Sequence, residues 1–265
     1  MKVINNEILN LIKNYSSKEI EDQIIQWAPP IICFGNIDKS KIATVGINPS
    51  NKEFVNNMGI EITGYKRRFP TLQSLNIQNW NEINESHVYK IKDSYENYFK
   101  NNSYDIWFKK LDFILSECGF SFYFPSYNAC HIDLVPFTTK LKWGSLKPYV
   151  KLELINHSNY VIEKVLAESS IETLILNGQS VVDIFKASYN CDFIKREISS
   201  LDLFRKNGMN VKGIIYQGAS GITNKNGNQI KVIGYNHNIQ SSFGITNAVL
   251  KSIKIEIFKI INNHE

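Results

Sequence analysis

Three polar side chains in this sequence fall where the strands of a sheet are expected to end. Asn48 follows the apolar run ATVGI, Asn128 lies in SYNACHIDLVPF, and His237 lies in VIGYNHNIQSSFG. An amide carries two donors and an acceptor oxygen, and an imidazole can donate a hydrogen bond to an oxygen on which charge is building. In an open α/β sheet, ligands bind outside the carboxyl ends of parallel strands, so three such groups on neighbouring strands can share one site. Each has a plainer reading alone: an Asx-type turn for Asn48, a satisfier of backbone groups for Asn128, a structural histidine for His237. Their joint placement is what points to chemistry. Asn48 is also framed by Gly46, which permits close approach of a ligand, and by Pro49, which fixes the turn.

Other elements must hold those groups in place. Apolar spacing predicts a helix over 3–15 and a second one from a Ser16–Glu19 capping box through Ile25, stopped by Pro29-Pro30. Short strands are expected at 31–34 and 41–45. Residues 51–80 have no period and carry Arg67-Arg68-Phe69-Pro70, which predicts a long functional loop or lid. Helices are expected at 82–100, 103–118, 148–168, 179–187 and 245–261, and strands at 120–135, 171–176, 214–216 and 231–235. Strands alternating with helices predict one α/β domain over 1–265, with N-terminal helices in 1–28 and a loop-and-helix insertion at 51–118. Its sheet should be mostly parallel and covered on both faces, a three-layer α/β/α arrangement.

Composition narrows the function classes. The 265 residues are 43% hydrophobic, enough for a real core, and 30 basic against 25 acidic residues give a net charge of +5. That excess suits a polyanionic partner but not a non-specific DNA coat. The four cysteines are scattered and form no C-x-x-C pair, which argues against a disulfide framework and a zinc site. In CHID, Cys130 and His131 point to opposite faces of a strand, so no metal is expected there. No G-x-G-x-x-G or P-loop is present, and no cofactor is expected. No signal peptide or membrane-spanning run is visible, and a cytoplasmic location is expected.

Four segments carry a resemblance to the uracil-DNA glycosylase superfamily. GINPS (46–50) resembles its first motif, closest to the G-I-N-P-G of the mismatch-specific branch. Asn128 matches the asparagine with which the family reads the base edge. ETLILNGQSVVDIF (172–185) resembles a later core strand and helix, and His237-Asn238-Ile239-Gln240-Ser241 lies where the family carries H-P-S-x-x-S. The pieces are in order and cover about residues 30–260. The resemblance implies a glycosylase-like fold and a monofunctional enzyme, acting as a monomer without metal. It would hydrolyse the N-glycosidic bond of a flipped-out uracil-like, damaged or modified base in DNA, leaving an abasic site.

By the same resemblance, Asn48 orients the attacking water, His237 donates to the base oxygen, and Asn128 reads the Watson–Crick edge. Gly46, Ile47 and Pro49 shape the pocket, and either Phe54 or Phe69 stacks on the base. Ser50, Ser241 and Ser242 pinch the DNA backbone as the family's serines do, while Ile239 or Gln240 fills the hole left by the nucleotide. Apart from the resemblance, the basic Arg67, Arg68, Lys140 and Lys142 are candidates for phosphate contacts, each with a solvated surface charge as its plainer reading.

The departures from the family pattern matter. Asn238-Ile239 replaces the proline and first serine of the second motif, no tyrosine follows Pro49, and the insertion after residue 50 is long. An amide cannot take up the water's proton as a carboxylate would, so slow turnover on a good leaving group is expected. A roomier pocket admits a second reading, a glycosylase for hypermodified cytosine, such as the glucosylated hydroxymethyl form in phage DNA, acting in antiviral defence. Two further readings are a non-catalytic DNA-binding module on the same fold and a small-molecule hydrolase.

Overall fold

A computed structural model describes residues 2–13, 18–101, 103–204, 208, 210–240 and 245–262. The apolar runs become strands: β1 (Ile42–Gly46), β2 (Ala129–Asp133), β3 (Thr173–Asn177), β4 (Phe193–Glu197), β5 (Leu203–Phe204), β6 (Asn210–Val211), β7 (Ile214–Thr223) and β8 (Gln229–Tyr235). Six of them form one sheet in the order β2-β1-β3-β8-β7-β4, and β5 pairs with β6 as a separate ribbon. The pairs from β2 to β8 are parallel; at the far side the β8–β7 and β7–β4 pairs are antiparallel, so β7 alone in this sheet runs against the others. Every residue of β1 and β2 is buried, as expected of strands covered on both faces.

The helices are α1 (Lys2–Lys13), α2 (Lys18–Gln23), α3 (Leu72–Leu75), α4 (Glu85–Glu96), α5 (Asp105–Leu115), α6 (Pro148–Ala167), α7 (Gln179–Ser188) and α8 (Asn247–Asn262). A Cβ on Gly234 would meet Val182 of α7 at 2.8 Å, whereas Lys231 Nζ reaches the Ile260 carbonyl of α8 at 3.5 Å. Residues 231 and 234 point to opposite sides of β8, so α7 and α8 cover opposite faces. Helix α5 packs on α8, and α6 packs on α1 and α2. The chain is mixed α/β with a mostly parallel six-stranded sheet, an architecture compatible with three α/β/α layers. No helix among the described residues is long and apolar enough to cross a membrane.

Several expectations need correction. Residues 31–34 form no strand; Phe34 makes a single antiparallel bridge to His131, and Gly35 at φ +95° turns the chain away. The strand expected from residue 120 begins only at Ala129, because the chain before it turns and Tyr127 takes φ +43°, which a ladder cannot accommodate. Helix α2 stops at Gln23, and Ile24 pairs instead with Thr139. Ser16 and Ser17 of the expected capping box lie outside the described residues.

Residues 51–80 are no free lid. Phe54, Phe69, Leu75 and Trp80 are buried, Trp80 Nε1 donates to the Gln26 carbonyl at 2.7 Å, and Leu72 N–H donates to the Trp27 carbonyl at 3.1 Å. The segment lacks a period because it folds as 3-10 turns and the one-turn helix α3, which opens with a Thr71–Ser74 capping box.

Candidate active site

Asn48 stands two residues beyond β1. Its Nδ2 donates to Thr139 Oγ1 at 3.0 Å and lies 3.4 Å from the carbonyl oxygens of Pro49 and Phe137. The Thr139 hydroxyl gives its own proton to the Leu141 carbonyl at 2.7 Å, so its oxygen must accept from Asn48. That network fixes which end of the amide is which. The nitrogen faces Phe137 and Thr139, and Oδ1 makes no hydrogen bond among the described residues. Asn48 lines a cleft of about 670 Å³ along the carboxyl edge of the sheet and an adjoining recess of about 40 Å³.

The recess is walled by Phe34, Tyr104, Trp107 and Phe108, with Glu53, His131 and Asp133 among its polar members. His131 and Asp133 are two apart on β2 and therefore share a face. Across the β1–β2 register, His131 Nδ1 lies 2.7 Å from Thr44 Oγ1, and its Nε2 lies 3.4 Å from Asp133 Oδ1. A neutral ring that accepts the Thr44 proton at Nδ1 carries its own on Nε2, aimed at Asp133. Gly46 pairs with Asp133, and a Cβ there would sit 2.3 Å from Asp133 Oδ1 and 3.0 Å from His131 Nε2. Only glycine leaves that carboxylate its place.

Glu53 is buried in the same recess. Its Oε2 accepts from the Tyr98 hydroxyl at 2.8 Å and lies 3.8 Å from Arg68 Nε. Burial outweighs both partners and, with the nearby Asp133 charge, pushes its pKa up to about 7. The site thus offers a free amide oxygen that can hold a water, an imidazole-supported carboxylate, and a carboxyl that exchanges protons near neutral pH.

No family model and no curated protein matches this chain.

The residues singled out in the sequence divide sharply. Gly46, Ile47, Asn48, Pro49, Ser50 and Lys142 all line the cleft. Asn128 does not. It precedes β2 rather than following it, which puts it about 16 Å along the strand from Asp133. Its amide accepts from Ser121 N–H at 2.9 Å and donates to the Gly119 carbonyl at 3.1 Å, tying a turn at the opposite edge. His237 follows β8 but turns behind the sheet edge, where Nε2 lies 2.7 Å from the Leu201 carbonyl. Its neighbours Asn236 and Asn238 face the cleft instead.

Phe54 and Phe69 are core residues, not a stacking surface: Phe54 meets Trp27 edge-on at 5.9 Å, and Phe69 stacks on Tyr98 at 5.2 Å. Arg67 pairs with Glu61 at 3.3 Å, and Arg68 turns inward to the Lys52 carbonyl at 2.6 Å and over the Tyr104 ring, so neither is aimed at a phosphate. Lys140 is exposed, with Nζ 2.9 Å from the Asp22 carbonyl. Ile239 is buried, its N–H donating to Asn177 Oδ1 at 3.1 Å, and Asn177 Nδ2 donates to Gln240 Oε1; neither residue is free to act as a wedge. Ser241 and Ser242 lie outside the described residues. Glu53, His131, Asp133 and Trp107 were missed. The H-x-D spacing opposite a glycine was the available signal for two of them. Among the described residues, no group of three or more His, Cys, Asp or Glu side chains could hold a metal ion.

Proposed function

We propose that this protein is a monofunctional DNA glycosylase of the uracil-DNA glycosylase type, hydrolysing the bond between deoxyribose and a base turned out into the cleft. The observation that carries the reading is the pinned amide of Asn48, a cleft-lining residue whose Oδ1 remains an unbonded acceptor among the described residues. A water donating one proton to that oxygen has a lone pair free for the anomeric carbon. As the C–N bond breaks, its electron pair leaves with the base and positive charge builds on the sugar. Glu53, titrating near 7 in the adjoining recess, supplies the proton acceptor that an amide lacks. Base reading falls to Asp133 rather than Asn128, since its oxygens accept from N–H groups such as uracil N3–H or the cytosine amine. The GINPS and 172–185 resemblances support the glycosylase-like version of the fold, because β1, which ends at the first residue of GINPS, and β3, which lies within 172–185, are neighbours.

One observation favours the bulkier-substrate reading. The recess is smaller than a pyrimidine, but the cleft adjoining it holds about 670 Å³ and is lined by Trp107 and Trp143. Such a space suits a base carrying a large substituent, such as glucosylated hydroxymethylcytosine of phage DNA, and so a role in defence beside one in repair.

The test is incubation of wild type and Asn48→Ala with oligonucleotides bearing uracil, hypoxanthine, hydroxymethylcytosine or its glucosylated form, scoring alkali-labile sites. Wild type should release at least one of these bases, and Asn48→Ala should not. Folded wild-type protein that yields no abasic product from any of them would overturn the proposal.

A further inference from the structure

Helix α6 is covered on one side and bare on the other. Val150, Leu154, Ser158, Val161 and Val165 face inward, where the helix packs on α1, α2 and β7. At 3.6 residues per turn, the opposite side gathers Tyr149, Leu152, Asn156, Tyr160 and Glu163 into a stripe about 80° wide. Tyr149, Leu152 and Tyr160 are 50%, 60% and 63% exposed, and Asn156 and Glu163 are exposed between and beside them. Single exposed apolar residues are ordinary, but three aligned along one helix make a patch.

The stripe reads the same from either end. Asn156 is its centre, Leu152 and Tyr160 stand one turn to each side, and Tyr149 and Glu163 stand two turns out. Its ends carry opposite charges. At the start, Lys147 holds Nζ 5.8 Å from the centre of the Tyr149 ring; towards the other end stands Glu163. Lys164, beside the Tyr160 ring, is already paired with Glu7 at 2.6 Å, whereas Lys147 and Glu163 make no ion pair among the described residues. Lys147 also occupies the helix N-terminus, where the backbone dipole disfavours a cation, so the helix alone gives no reason for it.

We propose that this face of α6 is the interface of a homodimer, in which a second copy lays its own α6 antiparallel against it about a two-fold axis at Asn156. A two-fold contact needs a surface complementary to itself, which the stripe supplies. Leu152 then packs on Tyr160 of the partner subunit, and Glu163 of the partner subunit reaches Lys147 beside Tyr149. At the axis the two Asn156 amides meet, each able to donate and accept, and a central polar pair of this kind fixes register. A parallel pair would instead set Lys147 against Lys147 of the partner subunit and Glu163 against Glu163 of the partner subunit. One helix from each copy covers less than the roughly 800 Å² per partner of a standard interface, so the dimer is weak and dissociates on dilution. The cleft rim at Trp143–Ser145 leads directly into α6, so the two clefts of the dimer stand at opposite ends of the helix pair. None of this rests on the glycosylase reading, and it replaces the monomer that the resemblance implies.

The experiment is sedimentation velocity over a concentration series at low salt, with wild type, Lys147→Glu, Glu163→Lys, the double variant and Leu152→Glu. Circular dichroism checks that each of these exposed substitutions leaves the fold intact. Wild type should pass from monomer to dimer as concentration rises. Each single reversal sets like charges opposite one another at both ends of the interface and should weaken the dimer about tenfold. The double variant restores opposite charges and should recover wild-type association, whereas Leu152→Glu should remain monomeric. A wild type that stays monomeric throughout overturns the proposal. So does a dimer that the single reversals leave intact, or a double variant that associates no better than either single one.

Discussion

Glu53→Gln is the most informative single change in the recess. The folded chain raises this carboxyl from 4.5 to about 7, chiefly by burial. At about 1.4 kcal/mol for each tenfold change in proton affinity, that rise amounts to about 3 kcal/mol. The sign follows from the direction. A carboxyl that holds its proton more tightly in the folded state stabilises the fold while protonated. That contribution is whole below pH 4.5, is lost progressively as pH rises, and is gone above about pH 7. Glutamine is neutral throughout, can still accept from the Tyr98 hydroxyl, and leaves Arg68 its contact with the Lys52 carbonyl. Urea unfolding of both proteins from pH 4 to pH 8 should therefore diverge. Relative to wild type, the variant should gain about 3 kcal/mol across that range. Parallel stability curves would refute the buried, near-neutral carboxyl and with it the proposed proton acceptor. If the acceptor role is right, the variant is also slower in excision while being more stable at pH 8, a trade common at active sites.

Three further outcomes follow from the same geometry. Gly46→Ala drives a methyl into Asp133 and His131 and should cost about 2 kcal/mol, with loss of excision, read as a lower Tm beside the oligonucleotide assay. Asn48→Asp removes the donor to Thr139 Oγ1 and turns a carboxylate toward the Pro49 and Phe137 carbonyls. It should cost about 1–3 kcal/mol in chemical denaturation and give no faster excision; a faster enzyme at pH 8 would contradict the assigned amide orientation. Asn128→Ala should lose about 1 kcal/mol of stability through its two turn hydrogen bonds and keep full excision, whereas a folded but inactive variant would return base reading to Asn128.

What the sequence made legible was the part with regular patterning. β1, β3 and α7 follow from unbroken apolar runs and a 3.6 period, and Asn48 follows from the glycine and proline that bracket it. The errors have local physical causes. Around residues 120–135, aromatic residues on both sides of Pro125-Ser126 outweighed the turn that this pair marks, and the strand was read as starting too early; Asn128 was accordingly placed at the carboxyl end of the strand, where Asp133 stands. At His237 the slip is one residue. Side chains alternate, so the imidazole went behind the sheet edge and the two flanking asparagines took the cleft. Glu53 was hidden because charge in a patternless segment reads as surface, and only the folded contacts among Phe54, Phe69 and Tyr98 carry it inside. β4, with the sequence FIKRE, gave no apolar alternation to detect.

That same strand leaves one margin of the sheet open. Among the described residues nothing pairs with the far side of β4, whereas the outer side of β2 is partly closed by the Phe34 bridge. An open strand margin is a template onto which another molecule's strand can add, and repeated addition produces fibres. Along β4 the template carries Lys195, Arg196 and Glu197, all exposed beside the equally exposed Ile194. A second copy adding there in antiparallel register would bring these ionic side chains together and strip their water. The charges that concealed this strand from pattern reading are of the kind that makes strand addition at an open sheet end costly.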